Sequence, residues 1–120
     1  MRWGTERTEE FEEWWKTLSR AEKAKVDTSV DELEETGPTA RRPLVDTVRG
    51  SKHPNMKELR STRTIRVFFA FDPRRKAILL IGGDKAGATK RFYRQMISKA
   101  DRIYDAHLAR FEKGAPVDGC

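Results

Sequence analysis

The sequence is short of cysteine and of long apolar runs. Its one cysteine, Cys120, has no second cysteine to pair with, so neither a disulfide within the chain nor a thiolate metal cluster is available. No stretch approaches the roughly 18 consecutive apolar residues of a membrane helix, and the first residues carry no apolar run of the signal-peptide type. We therefore expect a cytoplasmic protein with no membrane association and no redox chemistry.

Histidine is also scarce, and its two occurrences suggest no metal site. His53 and His107 have no cysteine or paired carboxylates spaced to complete a ligand set, so we expect no metal and no cofactor. His107 is predicted to lie on the inner face of a helix. The segment GGDKAGAT approaches the phosphate-binding loop pattern, but Ala88 stands where that loop needs its lysine. A nucleotide hydrolase is therefore not indicated.

Charge is unevenly distributed along the chain. The net charge is +6, yet residues 1–40 carry six Lys/Arg against eleven Asp/Glu, while residues 41–120 carry nineteen against eight. A surface that served only solubility would mix both signs, whereas segregation on this scale is typical of proteins that bind a polyanion. The C-terminal two thirds of the chain is therefore the candidate for contact with a nucleic acid.

The first third of the chain predicts two amphipathic helices. Apolar residues within 11–18 repeat at i, i+3, i+4 and i+7, and several glutamates precede them at the positive end of the helix dipole. Ser19 followed by Glu22 is typical of a capping box that opens a second helix. The glycine and proline at 37–38 end that helix. We expect a helical hairpin over about 8–36.

The middle of the chain predicts a small antiparallel sheet. Residues 37–55 hold three of the five prolines and predict a long surface connection. A short strand is predicted at 56–60 and a stronger one at 64–71, where apolar residues alternate. The turn sequence DPRR joins the latter to KAILLIGG as an antiparallel hairpin. We expect the sheet to cover about 56–83.

Helical spacing returns after the sheet and predicts a terminal helix over about 88–112. The glycine pair Gly82 and Gly83 is expected to let the backbone turn sharply before this helix. With one sheet and three helices in 120 residues, we expect a single domain over 1–120.

Seven basic side chains lie on or beside the ends of the predicted strands. A curled sheet would bring them onto one concave surface next to Phe92 and Tyr93. Cations that hold phosphates and aromatic rings that stack on unpaired bases are what recognition of single-stranded RNA requires. These cations are Lys57, Arg60, Arg66, Lys85, Lys90, Arg91 and Arg94.

Four segments in order carry a family resemblance: the tryptophan-rich hairpin, HPNMKELR, RVFFAFDPRRKAILLIGGDK and KRFYRQMISKADRIYDAHL. From about residue 9 to 112 the chain resembles the HigB-like branch of the RelE/ParE superfamily, the phage-derived toxins of bacterial type II toxin-antitoxin systems. The resemblance implies an α+β fold of the RelE type. In it, an N-terminal helical hairpin packs on a small, twisted, mostly antiparallel sheet, and a C-terminal helix follows.

The resemblance also implies an activity and two partners. Toxins of this kind are endoribonucleases that cut mRNA on the translating ribosome without a metal or other cofactor. The 2′-hydroxyl of the RNA attacks the adjacent phosphate. A cognate helix-turn-helix antitoxin, of the HigA type, neutralises the toxin. The implied partners are therefore ribosome-bound mRNA and this antitoxin, in the cytoplasm and away from membranes.

The resemblance assigns roles to individual residues. Arg66 matches the strand arginine that contacts the scissile phosphate, Lys85 the basic residue at the end of the next strand, and Tyr93 a tyrosine near that phosphate. Glu58 stands where the family has a second lysine, so the general base stays open between Lys85 and Glu58. Strand alternation puts Lys57 and Glu58 on opposite faces. The predicted catalytic set is Arg66, Lys85, Tyr93 and Glu58, and the predicted RNA-binding set is Lys57, Arg60, Lys90, Arg91 and Arg94.

Two other functions stay open at this point. One is a non-catalytic member of the fold that binds RNA or only an antitoxin, and the other is a ParE-like inhibitor of DNA gyrase. The chain also departs from its relatives in two places. The segment MRWGTER is a poor strand, and only Thr62 to Thr64 separate two predicted strands. We therefore expect one edge of the sheet to be incomplete.

Overall fold

The computed structural model of the protein describes residues 2–87 and 89–112. Within these residues the chain forms three α-helices and one five-stranded sheet. None of these helices is long and apolar enough to cross a membrane. In chain order the elements are β1 (Thr5–Arg7), α1 (Glu9–Lys16), α2 (Arg20–Thr36), β2 (Val45–Thr47), β3 (Lys57–Arg60), β4 (Ile65–Phe71), β5 (Ala77–Asp84) and α3 (Thr89–Glu112), with a 3₁₀ turn at Gly37–Thr39.

The sheet is mixed, with strand order β1-β5-β4-β3-β2. Three of its strand pairs are antiparallel, and β1 runs parallel to β5. We expected MRWGTER to be a poor strand that leaves one edge of the sheet incomplete, but its residues Thr5–Arg7 form the edge strand β1 and pair with Ala77–Leu79, so this expectation was wrong. Likewise, the predicted surface connection contains β2 at Val45–Thr47. Strands of three residues are too short to show an alternating pattern, and their neighbours in the sheet hold them in place.

β4 is the centre of the sheet, and helices cover it on both faces. Ile65, Val67 and Phe69 face α1 and α2, whereas Phe68 and Ala70 face α3. The alternation predicted for this strand is therefore present, and it divides the core into two clusters rather than one core and one solvated face.

Side chains cap both N-terminal helices. At the start of α1, the Thr8 hydroxyl accepts a hydrogen bond from the Phe11 N–H at 3.0 Å, and it lies 2.9 Å from the carbonyl of Leu79 in β5. At the start of α2, Ser19 and Glu22 form the predicted capping box, with hydrogen bonds of 3.1 and 2.9 Å. These caps supply partners for N–H groups that have none within the helix.

The glycine pair does not turn the chain, contrary to the expectation from the sequence. Gly82 and Gly83 lie within β5, and the left-handed residue before α3 is Gly87, with φ of +94°. A Cβ on Gly82 would lie within 3.0 Å of the Trp14 ring, and a Cβ on Gly83 would lie 2.8 Å from the Phe92 ring. The pair therefore lets one aromatic ring from each helical layer rest directly on the sheet.

At the turn between β4 and β5, Asp72 joins three elements. Its carboxylate accepts hydrogen bonds from the backbone and side chain of Arg74, and it lies 2.9 Å from Nε2 of the buried His107 on α3. Arg74 also donates to Glu6 of β1 at 2.8 Å. Burial alone raises the pKa of Asp72, but hydrogen bonds from His107, Arg74 and the Lys76 N–H hold it below its ordinary value. His107 thus lies on the inner face of its helix, as predicted.

We expect Gly82→Ala to lower the free energy of unfolding by about 1–3 kcal/mol, because the added methyl group would displace Trp14 from the sheet. Urea denaturation followed by tryptophan fluorescence measures the change. Gly4→Ala is the matched control, since the Cβ there meets only the Lys76 side chain at 3.6 Å. Equal stability of the two variants would contradict the role given to Gly82.

Candidate functional site

The topology gathers basic residues at one end of the sheet. β3 ends there, β4 begins there, and β5, which is antiparallel to β4, ends there before α3 starts. In the ladder Arg66 lies between Arg60 on β3 and Gly83 on β5. We call this region the cationic end of the sheet, and its basic residues are Arg60, Arg63, Arg66, Lys85, Lys90, Arg91 and Arg94.

Glu58 is the acidic centre of this region, and it is only 5% exposed. The Tyr93 hydroxyl donates to its Oε1 at 2.7 Å, and Arg60 Nη1 donates to its Oε2 at 3.2 Å. Arg66 Nε lies 3.8 Å from Oε1. A carboxylate is costly to bury unless cations and hydrogen-bond donors surround it. β3, β4 and α3 each supply part of that surrounding, so the cluster forms only when all three pack together.

Arg66 is 2% exposed and braces the turn between β3 and β4. Its Nη1 donates to the carbonyls of Thr62 at 2.8 Å and Ile65 at 3.1 Å. The Thr62 hydroxyl in turn accepts from the N–H groups of Thr64 and Ile65. Among the described residues, Arg66 Nε has no hydrogen-bond partner. This donor is enclosed by protein, and its nearest carboxylate oxygen is that of Glu58.

Tyr93 stands on α3 with its ring among other aromatic side chains. Its centroid lies 6.1 Å from that of Phe68 and 5.2 Å from that of Phe92. Burial raises the pKa of the Tyr93 phenol, the hydrogen bond to Glu58 raises it further, and Arg66 opposes the shift. At neutral pH the phenol is therefore protonated and acts as a hydrogen-bond donor to Glu58.

The remaining predicted cations at this end are more accessible. Lys85 follows β5, and its N–H donates to the Thr64 carbonyl at 2.9 Å, so it lies beside the β3–β4 turn. Lys90, Arg91 and Arg94 are exposed on the first turns of α3. None of these four side chains forms an ion pair within 2–87 and 89–112. They are free to meet an anion.

Lys57 lies apart from the other predicted residues. Alternation along β3 directs it to the face opposite Glu58, as expected, and its Nζ is 3.4 Å from the Thr47 hydroxyl. A shallow pocket of about 170 Å³ places it with Arg41 and Arg42. Its role in RNA binding stays a prediction. If Lys57 binds RNA, it would contact a different part of the RNA from Arg60.

Sequence reasoning missed two features. Arg63 and Thr62 in the short turn belong to the cationic end, but a turn of polar residues carries no signal beyond its composition. Glu6, Asp72 and His107 also come together, with donor atoms within 4.8 Å of one another. Arg74 bridges Glu6 and Asp72 in that cluster, so a guanidinium already supplies the positive charge that a metal ion would bring.

Comparisons of sequence place the chain among phage-derived proteins. Residues 13–105 match the family described as phage-derived protein Gp49-like (DUF891). The chain is 45% identical over 112 residues to the candidate toxin HigB2 of Mycobacterium tuberculosis. The aligned region covers 90% of this chain and 56% of HigB2. It is 50% identical over 101 residues to the candidate toxin HigB3 of the same organism, and the aligned region covers 83% of this chain and 89% of HigB3. The chain thus spans little more than half the length of HigB2.

Comparisons of structure show the predicted RelE-like fold. The free E. coli toxin RelE, solved as an arginine double mutant, matches with a TM-score of 0.61 at 14% identity over 85% of this chain and 97% of that one. A chain of the archaeal RelE-RelB complex from Pyrococcus horikoshii matches with a TM-score of 0.59 at 17% identity, over 73% of this chain and 100% of that one. A chain of the toxin-antitoxin complex RelBE2 of M. tuberculosis matches with a TM-score of 0.57 at 14% identity, over 70% of this chain and 99% of that one. At these identities the likeness concerns the fold alone.

The raised pKa of Tyr93 predicts a pH-dependent contribution to stability. A group with a folded pKa above its unfolded value near 10 stabilises the fold below that pH and loses the contribution as pH rises through the folded pKa. We therefore expect the difference in unfolding free energy between the wild type and Tyr93→Phe to be constant from about pH 7 to about pH 9 and to shrink as the pH rises above about 10. Chemical denaturation across this range measures it. A difference that stays constant would contradict the buried hydrogen bond to Glu58.

Proposed function

The chain belongs to the Gp49-like family of phage-derived proteins, and from that premise we propose that it is the toxin of a type II toxin-antitoxin system that cleaves mRNA on the ribosome. The observation that carries the proposal is the Glu58–Tyr93 pair at the cationic end of the sheet. It combines a proton acceptor, a phenol and several guanidinium groups in one place. The names of its relatives HigB2 and HigB3 support the assignment as a toxin.

The proposed reaction is attack of an RNA 2′-hydroxyl on the adjacent phosphate. Tyr93 accepts the proton of the 2′-hydroxyl while it passes its own proton to Glu58, 2.7 Å away. The bond from phosphorus to the 5′-oxygen breaks, and Lys85 gives the leaving oxygen a proton. The products are a 2′,3′-cyclic phosphate and a free 5′-hydroxyl. These steps use only side chains of this chain.

Negative charge grows on the phosphate during this attack, and the cations of the site would stabilise it. Arg60 has a side chain that is 24% exposed and is the accessible guanidinium next to Glu58, whereas Arg66 is buried beneath it. An arginine offers two parallel hydrogen bonds to phosphate oxygens, and fixed donors of this kind stabilise a developing oxyanion. Arg66 then acts by holding Glu58 and the β3–β4 turn.

The partner follows from the same assignment. The solved structure of M. tuberculosis RelBE2 is a toxin-antitoxin complex, that of P. horikoshii is a RelE-RelB complex, and each contains a chain with the fold of this protein. We propose that a small helix-turn-helix antitoxin of the HigA type neutralises this protein in the cytoplasm, where its ribosomal target is. Co-purification of the protein with the product of a neighbouring gene of that kind tests the pairing.

We expect expression of the protein without an antitoxin to arrest growth and to cleave mRNA. The double variant Arg66→Ala, Lys85→Ala should abolish both, because it removes two cations from the site. Mapping of 5′-hydroxyl ends in cellular RNA locates the cuts. Lys99→Ala, an exposed lysine farther along α3, is the matched control and should remain toxic. Undiminished growth arrest by the double variant would contradict the assignment of these residues.

Since loss of buried Arg66 also threatens folding, Tyr93→Phe gives a second test. It keeps the ring packing and removes only the hydroxyl, and we expect cleavage to slow by about 10²–10⁴-fold with little change in RNA binding. Single-turnover cleavage of mRNA on purified ribosomes measures the rate. A folded variant that cleaves at the wild-type rate would remove Tyr93 from the reaction.

The same experiments distinguish the other two functions. Growth arrest without transcript cleavage would favour a non-catalytic binder, which the deep burial of Glu58 also favours. Induction of the DNA damage response without transcript loss would favour inhibition of gyrase.

A further inference from the structure

A groove next to Arg60 takes no part in the proposed reaction. It has a volume of about 240 Å³ and lies between α2 and the β3–β4 turn. One wall is formed by Arg60 and Ser61, and the other by a stripe of polar residues on α2. The stripe consists of Lys25, Thr28, Ser29 and Glu32.

The stripe is a regular feature of α2. Its residues follow one another at i, i+3, i+4 and i+7, so they lie along one side of the helix. The apolar residues Val26, Val30 and Leu33 of the same helix face the core. The polar side therefore borders the core side and faces the end of β3 across the groove.

The hydroxyl groups in the groove can be accounted for one by one. The buried Ser29 hydroxyl donates to the Val26 carbonyl at 2.8 Å, which uses its only proton. The contact of 2.7 Å between Ser29 and Ser61 must then be donated by Ser61. The oxygen of Ser61 keeps its lone pairs and faces the groove as an acceptor.

Three more side chains in the groove carry polar groups with no hydrogen-bond partner among the described residues. In the part of the chain that the structure describes, no hydrogen bond or ion pair involves the side chains of Lys25, Thr28 or Glu32. The groove therefore offers a cation, a hydroxyl and a carboxylate to a ligand. Its volume is below the 300–1,000 Å³ typical of cofactor or drug-sized sites, so a single small unit fits it.

Arg60 connects this groove with the proposed catalytic site. Its Nη1 donates to Glu58 on the α3 side of the sheet, while the residue also borders the groove on the α2 side. An RNA strand whose scissile phosphate lies beside Glu58 would enter the groove directly if it continued around the end of β3. In the groove, Lys25 carries the charge that attracts a phosphate, and Glu32 and Ser61 carry oxygens that accept hydrogen bonds from hydroxyl groups.

We propose that the groove is a subsite for the ribose and phosphate of the nucleotide next to the cleaved bond. Lys25 holds the phosphate, and the oxygens of Glu32 and Ser61 accept a hydrogen bond from the 2′-hydroxyl of the ribose. A 2′-hydroxyl is the group by which a protein distinguishes RNA from DNA, so the subsite selects RNA. This inference rests on the proposed function and assigns the flanking part of the same substrate.

The test uses short RNA oligonucleotides with a 2′-deoxy residue at the cleavage site, which blocks the attack. A second deoxy residue is placed on either the 5′ or the 3′ neighbour. We expect one of these two positions, and not the other, to weaken binding by about three- to tenfold, which corresponds to one lost hydrogen bond. Fluorescence anisotropy at low salt measures the dissociation constants.

Variants then assign the effect to the groove. Glu32→Ala should abolish the penalty for the second deoxy residue, and Lys25→Ala should weaken binding of all extended RNAs and make it less salt-dependent by about one counterion. Glu13→Ala and Lys16→Ala on α1 are the controls, since both residues are exposed and away from the groove. Groove variants that behave like these controls, or a wild type that binds RNA with no deoxy penalty at either neighbour, would overturn the subsite and leave the proposed function intact. A wild type that cleaves mRNA on ribosomes but does not bind these oligonucleotides would overturn the subsite alone, and a wild type that does neither would overturn both.

Discussion

The structure of the cationic end of the sheet depends on the burial of one carboxylate. Glu58 is almost enclosed, and a carboxylate in that position destabilises the fold unless donors and cations surround it. The partners come from three places in the chain: Arg60 two residues along β3, Arg66 on β4, and Tyr93 on α3. The site is therefore assembled by the packing of α3 on the sheet rather than by any one segment.

That packing depends in turn on the glycine pair of β5. Gly82 and Gly83 face opposite sides of the sheet and let Trp14 and Phe92 approach the backbone closely. Phe92 is the neighbour of Tyr93 on α3, so the depth at which its ring lies on Gly83 fixes the height of the phenol above Glu58. Gly83 therefore serves both the packing of the core, through Phe92, and the position of Tyr93 in the candidate site.

The sequence predicts elements and faces well where residues follow a periodic pattern. It predicts poorly the features that depend on contacts with other parts of the chain. The alternation of β4, the capping box of Ser19 and the opposite faces of Lys57 and Glu58 were all predicted, because each follows from spacing within one element. The RelE-like fold inferred from the resemblance is confirmed by its structural neighbours. β1 and β2 could not be predicted, since three residues hold no pattern. The partnership of Glu58 with Tyr93, 35 residues apart, is a property of tertiary packing, and neither residue alone signals it.

The central hairpin carries a charged cluster at each end. Arg66 near the start of β4 belongs to the cationic end of the sheet, and Asp72, just after β4, belongs to the cluster with Arg74 and His107. Six residues of extended strand put these clusters about 20 Å apart, a distance at which the energetic effects of substitutions are usually additive. Substitutions at the Asp72 end can thus strengthen the fold without altering the cationic end. Because the two clusters are independent, the cationic end is free to diverge among relatives that share the same scaffold.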